Sequence, residues 1–200
     1  MEDVEALKKE LLKRDLKIRK LNGLIATDPL TGLFNRRGFL ELAKKLFDEV
    51  SFTGEHPGRR QHFVIDSFAI LFFDIDNFKK INDTYGHEVG DKILKFVTSM
   101  VASKVRSSDF VGRWGGEEIV AALVGANEKD AHLKAEEVRQ AVKSRVRIPS
   151  HPELVVTVSA GVSSLEGNVS LEDLIKRADR AMYQAKQQGR DRVVRFSELK

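Results

Sequence analysis

The sequence predicts an α+β domain built on a β-α-β-β-α-β unit and preceded by a separate N-terminal helix. Three features carry that expectation. Phe68 to Phe73 is an unbroken apolar run of strand length, which reads as a central strand covered on both faces. Phe110–Trp114 and Ile119–Val124 are apolar segments flanking Gly115-Gly-Glu-Glu118, which reads as a β-hairpin. Stretches of helical periodicity stand before, between and after these strands.

Taken in order, residues 1–26 form a unit of their own. Val4, Leu7, Leu11, Ile18, Leu21 and Ile25 follow steps of three and four, with Arg14 in the one interrupted slot. This spacing predicts a short coiled-coil helix, and residues 27–200 then make the folded domain. A Pro/Gly-punctuated turn at 28–37 leads into a helix with Phe39, Leu42, Ala43, Leu46, Phe47 and Val50 on one side. Residues 51–62, with Gly54, Pro57 and Gly58, read as an exposed loop, and His56 and His62 as solvated side chains rather than ligands. Ile93, Phe96, Val97, Met100, Val101 and Val105 mark the helix after the central strand, and Ala131, Ala135, Val138 and Val142 mark the one after the hairpin. Leu154–Val158 alternates as a strand. Leu171 to Ala185 is the last helix, and Arg192–Phe196 closes as a short strand. This order is that of the ferredoxin-like or palm architecture, with one added helix and strand.

A chain of 200 residues with 42 % hydrophobic residues suits one domain with a genuine core and a short appendage. Lys and Arg number 34 against 30 Asp and Glu, a formal charge of +4 without a dense basic stripe, which argues against general nucleic-acid binding. A small anionic ligand is compatible with that balance. The absence of Cys excludes disulfides, thiolate metal sites and a thiol nucleophile. No apolar run reaches membrane-spanning length and the N-terminus is charged from Glu2, so the expectation is a cytoplasmic protein with no membrane segment in this chain.

The chemistry concentrates in acids. Asp74 and Asp76 close the central strand two residues apart, on one face if the strand persists. Glu117 and Glu118 sit at the hairpin tip, and the predicted topology brings that tip to the Asp74 strand end. Three or four carboxylates gathered there repel one another unless a cation neutralises them, and hard oxygen ligands select Mg²⁺ or Mn²⁺. Such a site beside a bound triphosphate suits phosphoryl transfer.

Arg113-Trp-Gly-Gly-Glu-Glu-Ile119 resembles the signature of GGDEF-domain diguanylate cyclases, with Ile119 where Phe is usual. Asp28-Pro-Leu-Thr-Gly-Leu-Phe-Asn-Arg-Arg37, Phe73-Asp-Ile-Asp-Asn-Phe-Lys-Lys-Ile-Asn-Asp-Thr-Tyr-Gly-His-Glu-Val-Gly-Asp91 and Ala185-Lys-Gln-Gln-Gly-Arg190 are similar to the family's other motifs, so the likeness runs from residue 27 to about 196. The resemblance implies a nucleotidyl-cyclase-like fold and an enzyme that condenses two GTP into cyclic di-GMP and pyrophosphate. It implies Mg²⁺ held by Asp74, Glu117, Glu118 and the Ile75 carbonyl, with Glu118 also helping to deprotonate the attacking 3′-hydroxyl. Asn82 and Asp91 would read guanine, whose N1–H and N2 donors suit a carboxylate. Backbone amides around Phe78 and Lys79 would cradle phosphates, Lys186 and Arg190 would grip the terminal ones, and His87 would line the site. Because the product holds two guanylates, the resemblance also implies a homodimer.

Arg106-Ser-Ser-Asp109, separated by five residues from Gly115, resembles the family's inhibitory product site. Glu137 stands near the place where relatives supply another product-binding Arg, with Arg139 on a different part of the helical wheel. The alternative to an enzyme is a catalytically silent module that binds cyclic di-GMP as an effector. A silent module would be free to lose Asp74, Glu117, Glu118, Lys186 and Arg190, and all are present. Nothing in the sequence names a sensory input.

Overall fold

The computed structural model describes residue 14 and residues 26–55, 67–167 and 169–199. The expected coiled-coil seam, apart from Arg14, and the loop histidines His56 and His62 lie outside the described residues. One mixed six-stranded sheet organises the rest, in the order β1-β3-β4-β2-β5-β6. Its strands are β1 (Phe34–Asn35), β2 (Phe68–Ile75), β3 (Phe110–Arg113), β4 (Glu118–Val124), β5 (Val158–Ser164) and β6 (Val193–Arg195). The helices are α1 (Arg36–Glu55), α2 (Phe78–Tyr85), α3 (His87–Lys104), α4 (Glu128–Arg145) and α5 (Leu171–Gln187). The pairings within the inner four strands β3-β4-β2-β5 are antiparallel, the outer strands β1 and β6 pair parallel to β3 and β5, and the inner four stand in the order a β-α-β-β-α-β chain produces.

The central strand is buried along all of its length, as its apolar run predicts. Alternate side chains feed different cores. Ala69, Leu71, Phe73 and Ile75 join Ile93, Val97, Val101, Ala135 and Val138 of α3 and α4. Phe68, Ile70 and Phe72 join Phe39 and Phe47 of α1 and Leu174, Ala178 and Met182 of α5. The period-two pleat therefore makes the sheet a partition between two interiors.

Four elements differ from the sequence reading. The helix expected to end near 50 continues to Glu55, because residues 51–53 contain no breaker before Gly54. Gly86, at φ 85°, splits off the short α2 from α3. The opening motif forms a two-residue strand parallel to β3. The strand expected over 154–158 begins only at Val158, where ladder pairing with β2 starts opposite Ile75. Its α5-facing positions are small: Ser159, Gly161 and Ser163. A Cβ on Gly161 would fall 2.0 Å from the Ala178 carbonyl oxygen and 2.2 Å from the Met182 nitrogen, so α5 lies nearly on the strand backbone.

Candidate active site

Register places the acids. Within the β2–β4 ladder Asp74 stands directly opposite Glu118, the first residue of β4. Glu117 precedes it in the turn, and the Ile75 N–H donates to the Glu117 carbonyl at 3.4 Å. Lys186, in the last turn of α5, reaches Asp74 Oδ2 at 2.6 Å. The structure thus brings Asp74, Glu117, Glu118 and Lys186 to one strand end. Burial pushes the Asp74 carboxyl up to about 6; Lys186 opposes that rise, and the charges of Glu117 and Glu118 add to it. Glu118 is also raised, by burial first, then by Asp179 and Glu117, against Lys186 and Arg36. Asp179, on the same stripe of α5 as Lys186, is raised by burial. Sequence reasoning missed Asp179 and Arg36. The seven-residue step from Asp179 to Lys186 on a helix was the available signal for the first.

Among the described residues no three acidic or imidazole side chains converge as a metal cage. The donor chemistry nevertheless fits a hard divalent cation. The side chains are oxygen donors, the strand-end carboxyls are held above their usual range by burial and mutual repulsion, and the one ion-paired cation, Lys186, leaves that repulsion standing.

The hairpin tip is braced from behind. Arg113 donates to the Gly115 and Gly116 carbonyls at 3.2 and 2.8 Å and to Asp28 Oδ2 at 3.0 Å, while Asp28 accepts from the Thr31 N–H and hydroxyl. This is the local reason for the Asp28…Thr31 opening motif. Burial works to raise the Asp28 carboxyl, but Thr31 and Arg113 hold it below the ordinary range. The Arg36 guanidinium lies 4.6 Å from the centre of the Trp114 ring, next to the same turn. A Cβ on Gly115 would sit 2.5 Å from Glu118 Oε2, so that glycine makes room for the carboxylate; the space around Gly116 is open.

A second cluster forms where α2 and α3 fold back on each other. Asn82 lies against Gly90, where a Cβ would fall 1.8 Å from Asn82 Oδ1, and Asp91 is the next residue. Asn82 Oδ1 is buried without a hydrogen-bond partner, an acceptor that a ligand donor would satisfy. Phe78 and Lys79 open α2 behind Asn77, which holds φ 57°, and His87 is exposed at the start of α3.

Asp76 does different work from Asp74. It is 3 % exposed and accepts from Thr157 Oγ1 at 2.7 Å, Ser159 Oγ at 2.6 Å and the Asp191 N–H at 3.1 Å. It is therefore a fastener for the chain leaving α5. Arg190 stands exposed on that segment.

Arg106 and Asp109 lie elsewhere, at the turn between α3 and β3, on a cleft of ≈ 390 Å³. They form no ion pair with each other. Asp109 accepts from the Arg106 N–H at 2.8 Å and the Val124 N–H at 3.1 Å, which ties the turn to β4. Glu137 is bound by Lys104 at 2.9 Å and Lys134 at 2.7 Å, and Arg139 by Glu136 and Asp191.

The sheet order and the acids at the β2–β4 strand end define a nucleotidyl-cyclase-like palm domain. Residues 25–192 match the family described as "Diguanylate cyclase, GGDEF domain", and the chain belongs to that family. Diguanylate cyclase DgcM of Escherichia coli K12 is 40 % identical over 168 residues, covering 84 % of this chain and 37 % of that protein. Diguanylate cyclase DgcP of Pseudomonas aeruginosa is 38 % identical over 170 residues, covering 84 % of this chain and 23 % of that protein. This chain thus spans well under half the length of these relatives. The GGDEF domain of DgcB from Caulobacter crescentus, solved in complex with c-di-GMP, superposes with a TM-score of 0.77 at 30 % identity over 86 % of this chain and 96 % of that one. An active GGEEF domain of a Vibrio cholerae diguanylate cyclase gives 0.71 at 30 % identity over 82 % and 97 %. Among the described residues no helix is long and apolar enough to cross a membrane.

Proposed function

We propose that the chain is a diguanylate cyclase that joins two GTP molecules into cyclic di-GMP as a homodimer, with feedback from its product. The observation that carries this reading is the strand end where Asp74 faces Glu118 across the ladder with Lys186 2.6 Å from Asp74. Each half of the reaction forms one bond from a ribose 3′-oxygen to an α-phosphorus and breaks one α–β phosphoanhydride bond. Two repetitions give the ring and two pyrophosphates. Glu118, held above the usual carboxylate range, takes the proton of the attacking hydroxyl. Asn82 offers its unpartnered oxygen to a guanine donor, and Asp91 accepts from the same edge. The amides of Phe78 and Lys79 and the side chains of Lys186 and Arg190 hold the phosphates, and His87 lines the site. Mg²⁺, or Mn²⁺, bound by Asp74, Glu117, Glu118 and the Ile75 carbonyl would neutralise the triphosphate and acidify the hydroxyl. One domain carries one such set, so two copies must face each other with one GTP each.

Purified protein incubated with GTP and Mg²⁺ should yield cyclic di-GMP and pyrophosphate by nucleotide chromatography, with ATP a poor substrate. Glu118→Gln preserves size and removes the charge, and should lower turnover by at least about 100-fold. Near-normal turnover in that variant would sink the assignment.

A further inference from the structure

The segment that carries Arg190 has an unusual backbone. The end of α5 is a Schellman motif: the Gly189 N–H donates to the Lys186 carbonyl at 3.4 Å and the Arg190 N–H to the Ala185 carbonyl at 3.0 Å. Such a motif needs one left-handed residue, and Gly189 supplies it at φ 111°. Here the positive φ continues through Arg190 at 64° and Asp191 at 47°. Apart from Asn77, these are the non-glycine residues with positive φ among the described residues. Side chains disfavour that region, so the run persists only where its surroundings over-determine it.

What over-determines it is Asp191. Its N–H donates to buried Asp76 at 3.1 Å. Its Oδ1 accepts from Arg139 Nη1 at 2.6 Å and its Oδ2 from Lys143 Nζ at 2.6 Å. Arg139 and Lys143 are one turn apart on α4, and Arg139 is itself held by Glu136 at 2.8 Å. Three anchors, two from α4 and one from the turn after β2, thus meet on one residue, while the neighbouring Arg190 side chain has no hydrogen bond or ion pair among the described residues. A fixed backbone under an uncommitted cation is what preorganised anion binding requires, because the ordering cost is met before the ligand arrives.

We propose that Asp191 is a positioning residue, clamped by Arg139 and Lys143 of α4 and by Asp76 in the turn after β2, that holds Arg190 in the conformation from which it grips the terminal phosphates. The inference rests on the reading of Arg190 as a phosphate ligand. Through this clamp α4, which carries none of the proposed substrate ligands, sets the strength of the triphosphate grip.

The test measures binding of 3′-deoxy-GTP, which lacks the attacking hydroxyl, and of GMP, both with Mg²⁺, to the wild-type protein and to the Asp191→Ala, Asp191→Asn and Arg139→Ala variants. Asp191→Ala and Arg139→Ala should each weaken 3′-deoxy-GTP about 10-fold, the scale of one charge-assisted bond, and leave GMP unchanged. Asp191→Asn, which tolerates positive φ and keeps an acceptor, should recover most of the loss. The direction of the Asp191→Ala effect is decisive. A purely long-range charge effect predicts tighter triphosphate binding once a negative charge is removed, and that result overturns the proposal. So does parallel loss of GMP binding, which would make the clamp a general scaffold. Unchanged variants beside a wild type that prefers the triphosphate overturn the positioning role alone. A wild type that does not distinguish the two nucleotides overturns the phosphate role of Arg190 and this proposal with it.

Discussion

At the scale of single residues, Asp74 near the end of β2 and Asp76 in the turn that follows it show how neighbouring acids acquire opposite jobs. Asp76 spends its oxygens on Thr157, Ser159 and Asp191, whereas Asp74 meets only the Lys186 ammonium and the charges of Glu117 and Glu118. Burial holds the Asp74 carboxyl at about 6 in the folded chain, against an ordinary carboxyl value of 3.8. Between these values the folded state binds more protons than the unfolded one. The contribution of this group to stability therefore falls as pH rises through that window and remains a standing cost above it. Asp74→Asn removes the cost with little change of volume. Without divalent metal at pH 7.5 the variant should melt about 2–4 °C above wild type, and it should form no cyclic di-GMP. Thermal melts at pH 7.5 and pH 4 decide it, since the gain should vanish at the lower pH. A lower melting temperature at pH 7.5 would mean that the ion pair with Lys186 outweighs burial.

At the scale of elements, the approach of α5 to β5 governs where Lys186 and Asp179 stand. Gly161 permits it, and the obstructing atoms are backbone, which cannot rotate away. Gly161→Ala should cost about 1–3 kcal/mol or more in denaturant unfolding and reduce turnover as Lys186 leaves Asp74. Full stability in that variant would contradict the close packing. The same contact explains what could be read in advance. The run Phe68–Phe73 and the apolar arms of the hairpin announced β2, β3 and β4, because both faces of those strands meet large side chains. Strand β5 stayed hidden behind Ser159, Gly161, Ser163 and Ser164, residues chosen for thinness, and the alternation at Leu154–Val158 drew the strand too early. The acids and Lys186 were legible as motifs, and cross-strand register made them one cluster. Asp179, Arg36 and the clamp on Asp191 were not, since each depends on contacts between elements far apart in sequence.

At the scale of the molecule, the proposed reaction, whose product holds two guanylates, calls for two copies of the chain. Residues 1–26, with Val4, Leu7, Leu11, Ile18, Leu21 and Ile25, are proposed to pair them and raise the effective concentration of one domain at the other. A chain lacking residues 1–25 should stay folded and bind GTP, with specific activity that is low when dilute and climbs as protein is concentrated. Equal, concentration-independent activity in both forms would remove the segment from catalysis. Product control is proposed to act through Arg106, whose side chain has no hydrogen bond or ion pair among the described residues and which lies on its own cleft away from the strand end. Progress curves should bend as cyclic di-GMP accumulates, and Arg106→Ala should straighten them; bent curves in both proteins would exclude that residue.

The sheet that divides two interiors also divides their histories. Among the described residues, the buried side chains on the α3/α4 side of β2 and those on the α1/α5 side belong to separate clusters, so changes on the two sides are expected to be close to additive. Each interior can drift, be repacked or be engineered on its own schedule. What both must preserve in common is the strand end, because Asp74 issues from one side of the partition and Ile75 from the other.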